Sequence, residues 1–78
     1  RSFEAEADKL GAFYMHKAGF EPQAMIEVFE TFLKLQKEKK EKQNLGIFAS
    51  HPSLEWRIKR IKEIIPQIKQ GVPYEEIK

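Results

Sequence analysis

Between Leu54 and Ile68 the chain places Leu54, Ile58, Ile61, Ile65 and Ile68 at alternating intervals of four and three residues. That spacing follows the 3.6-residue period of an α-helix, whereas a half-buried strand would alternate apolar and polar residues. A helix with one unbroken aliphatic edge must bury it, and the rest of the sequence supplies helices to bury it against. The chain has 78 residues, which sets a ceiling of one small domain. A domain of that size buries only about 60–65% of the surface its unfolded chain exposes. The expected fold class is all-α: three amphipathic helices over about residues 2–18, 22–42 and 53–70, an apolar loop over 43–52, and a short C-terminal helical turn. The whole of 1–78 reads as a single helical piece.

The boundaries carry local signals. Ser2 is a suitable N-cap, and Glu4, Glu6 and Asp8 put negative charge over the first turns, where the helix dipole favours it. Phe3, Ala7, Leu10, Tyr14 and Ala18 recur with the helical period and predict the buried stripe of the first helix. Gly19 predicts a left-handed stop, and Pro22 fits the first turn of a second helix. In that second helix Met25, Val28, Phe29, Phe32, Leu33 and Leu35 or Gln36 predict a wide apolar face. Asn44 and Gly46 break the pattern, while Leu45, Ile47 and Phe48 make an apolar loop expected to pack on the helices or on partner structure. Ser50 or Ser53 is placed to cap the third helix. Pro66, inside its seam, is expected to kink or end it, and Gly71 to close the region.

Composition excludes several chemistries. There is no cysteine, so disulfides, thiolate zinc sites and cysteine nucleophiles are ruled out for this chain. His16 and His51 are the two histidines, too few for a site of three imidazoles. A net charge of +2 argues against nucleic acid. The lysines of residues 34–42 alternate with Glu38 and Glu41 and read as a solvated helix end. No apolar run approaches the roughly 20 residues a membrane-spanning helix needs. Any catalysis therefore requires groups beyond those in this chain.

The acidic residues at the start repay closer reading. Glu4 and Asp8 are four apart, which places both carboxylates on one helix face. Alone, the pair fits a solvated face that complements the helix dipole. His16 reads as a surface residue, and Trp56, Tyr14 and the phenylalanines as core.

The order of blocks along the chain is more specific. Arg1-Ser-Phe-Glu4-Ala-Glu6-Ala-Asp8 is followed by Gly11, Met15, Ala18-Gly19-Phe20-x-Pro22 and Phe29, then by Ser50-His51-Pro52 with Arg57-Ile58 after it. From Arg1 to about Ile61 this resembles the C-terminal part of the zinc metallopeptidase family that includes HtpX-like proteases and CaaX prenyl endopeptidases. In that family a helical HExxH supplies two histidine ligands and the general base, and a downstream ExxxD helix supplies the third ligand. The resemblance implies that Glu4 is that zinc ligand and that Asp8 orients a zinc-binding histidine. Arg1 matches an arginine near the site. For His51 it leaves two roles open, a donor to the transition state or a hydrogen bond that holds its loop. Arg57 is expected to be its structural companion, pairing with an acid across the helices.

No His-Glu pair occurs in the chain, so HExxH is absent. The resemblance then implies a C-terminal piece of a longer zinc metalloendopeptidase, inactive by itself and not expected to hold zinc alone. Its expected partners are a protein or peptide substrate, the N-terminal part of the same peptidase domain, and a second copy through an exposed Glu4/Asp8 face. No nucleic acid and no membrane segment are expected. The soluble tail after His-Pro is similar to that of cell-envelope, periplasmic members in bacteria. The competing reading is a non-catalytic helical module that docks another protein.

Overall fold

The computed structural model describes the backbone of residues 2–43 and 53–78 and the side chains of 2–39 and 54–78. Arg1, His51 and the apolar loop residues Leu45, Ile47 and Phe48 lie outside the described residues. The elements are α1 (Ser2–Lys17), α2 (Gln23–Gln43) and α3 (Ser53–Lys69), followed by a short 3₁₀ turn, Tyr74–Glu76. No strand occurs among the described residues, so the all-α expectation holds. Among them, too, no helix is long and apolar enough to cross a membrane.

Two helix ends are fixed by the same backbone device. At the end of α1, Gly19 takes a φ of 88°, a left-handed conformation that costs a residue with a Cβ. Its N–H then reaches the His16 carbonyl at 3.1 Å, and the Phe20 N–H reaches Met15 at 2.8 Å. At the end of α3, Gly71 has a φ of 85°. Its N–H reaches Ile68 at 3.1 Å, and Val72 reaches Gln67 at 3.1 Å. Both are Schellman closures, which satisfy carbonyls that the helix leaves open. Beyond the first of them, Pro22 is buried and leads into α2, and the Gln23 N–H donates to the Glu21 carboxylate at 3.3 Å.

Of the two outcomes expected at Pro66, a kink or an end, the end does not occur: α3 runs on to Lys69, close to the expected limit. A proline removes one N–H and crowds the carbonyl one turn before it, here that of Lys62. Pro66 and Lys62 both lie on the exposed side, where water can take up the orphaned carbonyl. The buried seam on the opposite side holds the helix together.

α3 is the central element, and α1 and α2 pack chiefly on it. Glu4 and Asp8 meet Arg57 while Ala12 meets Ile64 and Ile68, so α1 runs in the same sense as α3. Lys37–Glu55, Glu30–Lys62 and Glu21–Lys69 pair in the reverse order, so α2 runs antiparallel to it. Leu54, Ile58, Ile61, Ile65 and Ile68 are all buried as predicted, joined by Ile64. Ala12, Ile64, Ile68 and Ile77 form one cluster; Ile26, Ile58, Ile61 and Ile65 form a second. Met25 packs against both. Each fully buried isoleucine contributes roughly 1.5–3 kcal/mol of transfer free energy.

The stripe predicted for α1 is corrected by the structure. Phe3, Leu10 and Tyr14 are 89%, 40% and 61% exposed, and Ala7 and Ala18 also face solvent. The face turned to α3 carries Asp8 and Ala12 instead, with Glu4 and Ala5 partly covered. Two physical reasons select it. The small Ala12 lets the backbones approach, and Arg57 compensates the charge that burying Asp8 would otherwise leave alone. In α2, the buried anchor is Ile26, flanked by the half-buried Met25, Phe29 and Leu33, while Val28, Phe32 and Leu35 remain exposed. The expectation that Tyr14 and the phenylalanines are core therefore fails for Tyr14, Phe3, Phe20 and Phe32, and is met in part by Phe13, Phe29 and Trp56.

Candidate functional site

The most strongly built polar feature centres on Arg57. From α3, its Nε donates to Asp8 Oδ2 at 2.9 Å and its Nη2 donates to Asp8 Oδ1 at 2.8 Å. This is the two-pronged guanidinium–carboxylate geometry, stronger and more directional than a single ion pair. The remaining Nη1 lies 3.5 Å from Glu4 Oε2. Asp8 is 4% exposed at its side chain, Arg57 20% and Glu4 31%. The guanidinium also lies over the Phe29 ring of α2, 4.5 Å from its centroid. Hydrogen bonding to Asp8 raises the Arg57 pKa above an arginine's ordinary value, with the charges of Asp8 and Glu4 adding to it and burial opposing. Arg57 is thus a fixed cation.

The i, i+4 spacing of Glu4 and Asp8 brings both carboxylates to that one cation, as helix geometry requires. The expected exposed Glu4/Asp8 face is corrected: Asp8 is buried, because Arg57 and α3 cover it. The expected pairing of Arg57 with an acid across the helices is present, and the acid is Asp8. His51 lies outside the described residues, so its companionship with Arg57 does too. His16 is exposed near the end of α1.

Sequence reading missed a second cluster, at the C-terminal tail. The Tyr74 hydroxyl donates to Glu6 Oε1 at 2.8 Å, and Lys9 Nζ sits 4.3 Å from the centre of the Tyr74 ring. Phe13 meets the same ring edge-on at 5.3 Å. Hydrogen bonding to Glu6, then burial and the Glu6 charge, raise the Tyr74 pKa. Nothing local marks Glu6 or Lys9 for this role, since Tyr74 lies 68 residues from Glu6. On the outer surface, the Lys69 ammonium at 2.7 Å holds Glu21 below its ordinary carboxylate pKa, assisted by the Gln23 N–H. Lys37, from the lysine-rich stretch, is paired with Glu55 at 3.5 Å, in keeping with a solvated helix end.

As a metal donor set the chain is partial. No group of three His, Cys, Asp or Glu residues converges among the described residues. Glu4 offers a carboxylate, a hard oxygen ligand that zinc accepts beside imidazoles.

The family model described as Peptidase family M48 matches residues 1–65, which takes in Glu4, Asp8, Phe29 and Arg57. Neither a curated protein nor a solved structure matches the chain.

Proposed function

The chain belongs to peptidase family M48, and from that premise we propose that it is the C-terminal part of a zinc-dependent metalloendopeptidase, to which it contributes the ligand Glu4 and the supporting Asp8. The observation that carries this reading is the Arg57-centred cluster. One carboxylate, Asp8, is buried and bound at both oxygens by Arg57, while that of Glu4, one turn away, is partly exposed and lies 3.5 Å from the same guanidinium. An acidic pair serving merely to complement a helix dipole has no need of that division.

Zinc, when bound in such an enzyme, polarises the scissile carbonyl and lowers the pKa of its bound water to about 7. Glu4 supplies negative charge and one oxygen ligand. Asp8 takes the two short bonds of Arg57 and balances its charge. A carboxylate has about four acceptor positions, and Arg57 takes two of those on Asp8. The others are what an imidazole N–H of the wider site would use, the arrangement by which carboxylates orient metal-bound histidines. By itself the chain lacks the imidazoles and the general-base glutamate of HExxH, and we propose that it is inactive alone.

The test is Glu4→Gln in the peptidase that contains this chain. The expected result is loss of peptide hydrolysis together with loss of zinc; near-normal hydrolysis would remove Glu4 from the ligand set. The second reading, a helical docking module without catalysis, draws on the exposed Phe3, Leu10 and Tyr14. It would gain if Glu4→Gln changed neither zinc content nor hydrolysis.

A further inference from the structure

We infer that residues 72–78, the segment after α3, form a strap that seats α1 on α3, with Ile77 and Tyr74 as positioning residues for the helix that carries Glu4 and Asp8. The inference rests on the reading that α1 carries part of the peptidase site, and deepens it by assigning what holds that helix in place.

α1 brings little apolar bulk of its own to this contact. Its buried apolar residue is Ala12, while its larger side chains Phe3, Leu10 and Tyr14 face solvent. α2, by contrast, inserts Ile26 with Met25, Phe29 and Leu33 around it. A side chain as small as that of Ala12 lets α1 approach α3 but fills little of the space between them, and protein interiors do not leave such space empty. Ile77 fills it. Only 4% exposed, Ile77 packs with Ala12 of α1 and with Ile64 and Ile68 of α3, so a buried aliphatic side chain between the two helices comes from neither of them.

The backbone prepares the segment for this role. The Gly71 closure turns the chain back from α3, Pro73 holds its φ at −56°, and the Glu76 N–H donates to the Pro73 carbonyl at 2.9 Å. Side chains three residues apart on a 3₁₀ turn stand over one another, so Tyr74 and Ile77 turn to the same side. While Ile77 enters the core, the Tyr74 hydroxyl donates to Glu6 at 2.8 Å, and its ring covers the Lys9 ammonium at 4.3 Å and meets Phe13 edge-on. Glu6, Lys9 and Phe13 all belong to α1. The Lys78 N–H donates to Gln67 Oε1 at 3.0 Å, which ties the far end of the segment back to α3. The strap is thus anchored on α3 at both ends and bears on α1 between them. Its polar contacts are reversible, since release returns Tyr74, Glu6 and Lys9 to water; the cost of release falls mainly on Ile77.

The experiment measures amide hydrogen exchange by mass spectrometry on the peptidase that contains this chain, as wild type, Ile77→Ala, Ile77→Leu and Tyr74→Phe. In Ile77→Ala the α1 amides are expected to exchange at least about 30-fold faster, the lower end for emptying a buried isoleucine site, while those of α2 around Ile26 keep their rate. Ile77→Leu, which retains the bulk, should restore slow exchange in α1. Tyr74→Phe loses only the hydroxyl's bond to Glu6 and should quicken α1 by about 2–10-fold. A general contributor to stability would quicken α1 and α2 alike; that result, or unchanged α1 exchange in Ile77→Ala, overturns the proposal. If Ile77→Ala does not fold, Tyr74→Phe carries the test on the same comparison of α1 with α2. Peptide hydrolysis, measured at a temperature where exchange shows α1 open in Ile77→Ala, should be lost. Retained hydrolysis there would remove α1 from the peptidase site and end that reading, while the exchange pattern decides the strap by itself.

Discussion

Replacing Asp8 by alanine isolates the feature on which this structure most depends. In the folded chain Asp8 accepts two charge-assisted hydrogen bonds, at 2.8 and 2.9 Å, and its side chain is 4% exposed. Breaking a fully buried ion pair by removing one partner costs about 3–5 kcal/mol, because the other charge stays behind. Arg57 is 20% exposed and keeps its contacts with Glu4 and Phe29, so part of its charge is recovered by water and by Glu4. The expected cost is therefore about 2–4 kcal/mol, with each charge-assisted bond in the usual range of about 1.5–3 and the two not additive. A domain of this size has a stability of roughly 4–12 kcal/mol, so the variant should lose a substantial fraction of it. At about 4–8 °C per kcal/mol the melting temperature should fall by roughly 8–32 °C. Urea and thermal unfolding of the chain, followed by far-ultraviolet circular dichroism, measure this directly. A double-mutant cycle with Arg57→Ala separates the pair from other effects of each substitution, and a coupling energy above about 1.5 kcal/mol is expected. A loss under about 0.5 kcal/mol in Asp8→Ala, or no coupling, would refute the argument that Arg57 is what allows this face of α1 to be buried.

Other substitutions probe the rest of the fold. Ile64→Ala, at a fully buried position, should cost about 2–5 kcal/mol in urea unfolding, whereas Phe3→Ser, at 89% exposure, should change stability by less than about 0.5; the reverse order would mean that α1 packs on its predicted stripe. At Gly11 an added Cβ would meet Met25 Cε at 3.7 Å, an ordinary contact, so Gly11→Ala should stabilise by roughly 0.5–1 kcal/mol through helix propensity, and a lower melting temperature would show that α1 and Met25 approach more closely. Tyr74 has its pKa raised above 10.0 by Glu6, so its contribution is fully present below that pH and is lost as pH rises through the higher folded value. In Glu6→Ala an ultraviolet titration should show Tyr74 ionising at lower pH, and an unchanged curve would dismiss the hydrogen bond. Glu21 is held low by Lys69; its contribution is present above pH 4.5 and is lost as pH falls through the lower folded value, and Lys69→Ala should move the Glu21 carboxyl titration, read by NMR, upward.

What the sequence determined by itself was the part of the fold that depends on neighbouring residues. The aliphatic seam of α3 is read correctly because a helical period and strongly apolar side chains leave one way for it to face, and Ile64 widens it without moving it. Gly19 and Gly71 mark true helix ends because a left-handed residue is a local requirement. The pairing of Glu4 with Asp8 on one face is likewise local, and the order of blocks around it pointed to the peptidase family that residues 1–65 match. The orientation of α1 was decided only by the tertiary structure. Its sequence offers two faces with helical spacing, one apolar through Phe3, Leu10 and Tyr14, the other acidic through Glu4 and Asp8, and hydrophobicity alone selects the first. The second is buried because a guanidinium 49 residues further along the chain from Asp8 pairs with it. Pro66 teaches the same lesson, since its break in hydrogen bonding falls on the solvated side of a helix anchored by the opposite one. Periodicity specifies how residues are arranged around a helix axis; which side turns inward depends on the charges and shapes that other helices bring to meet it.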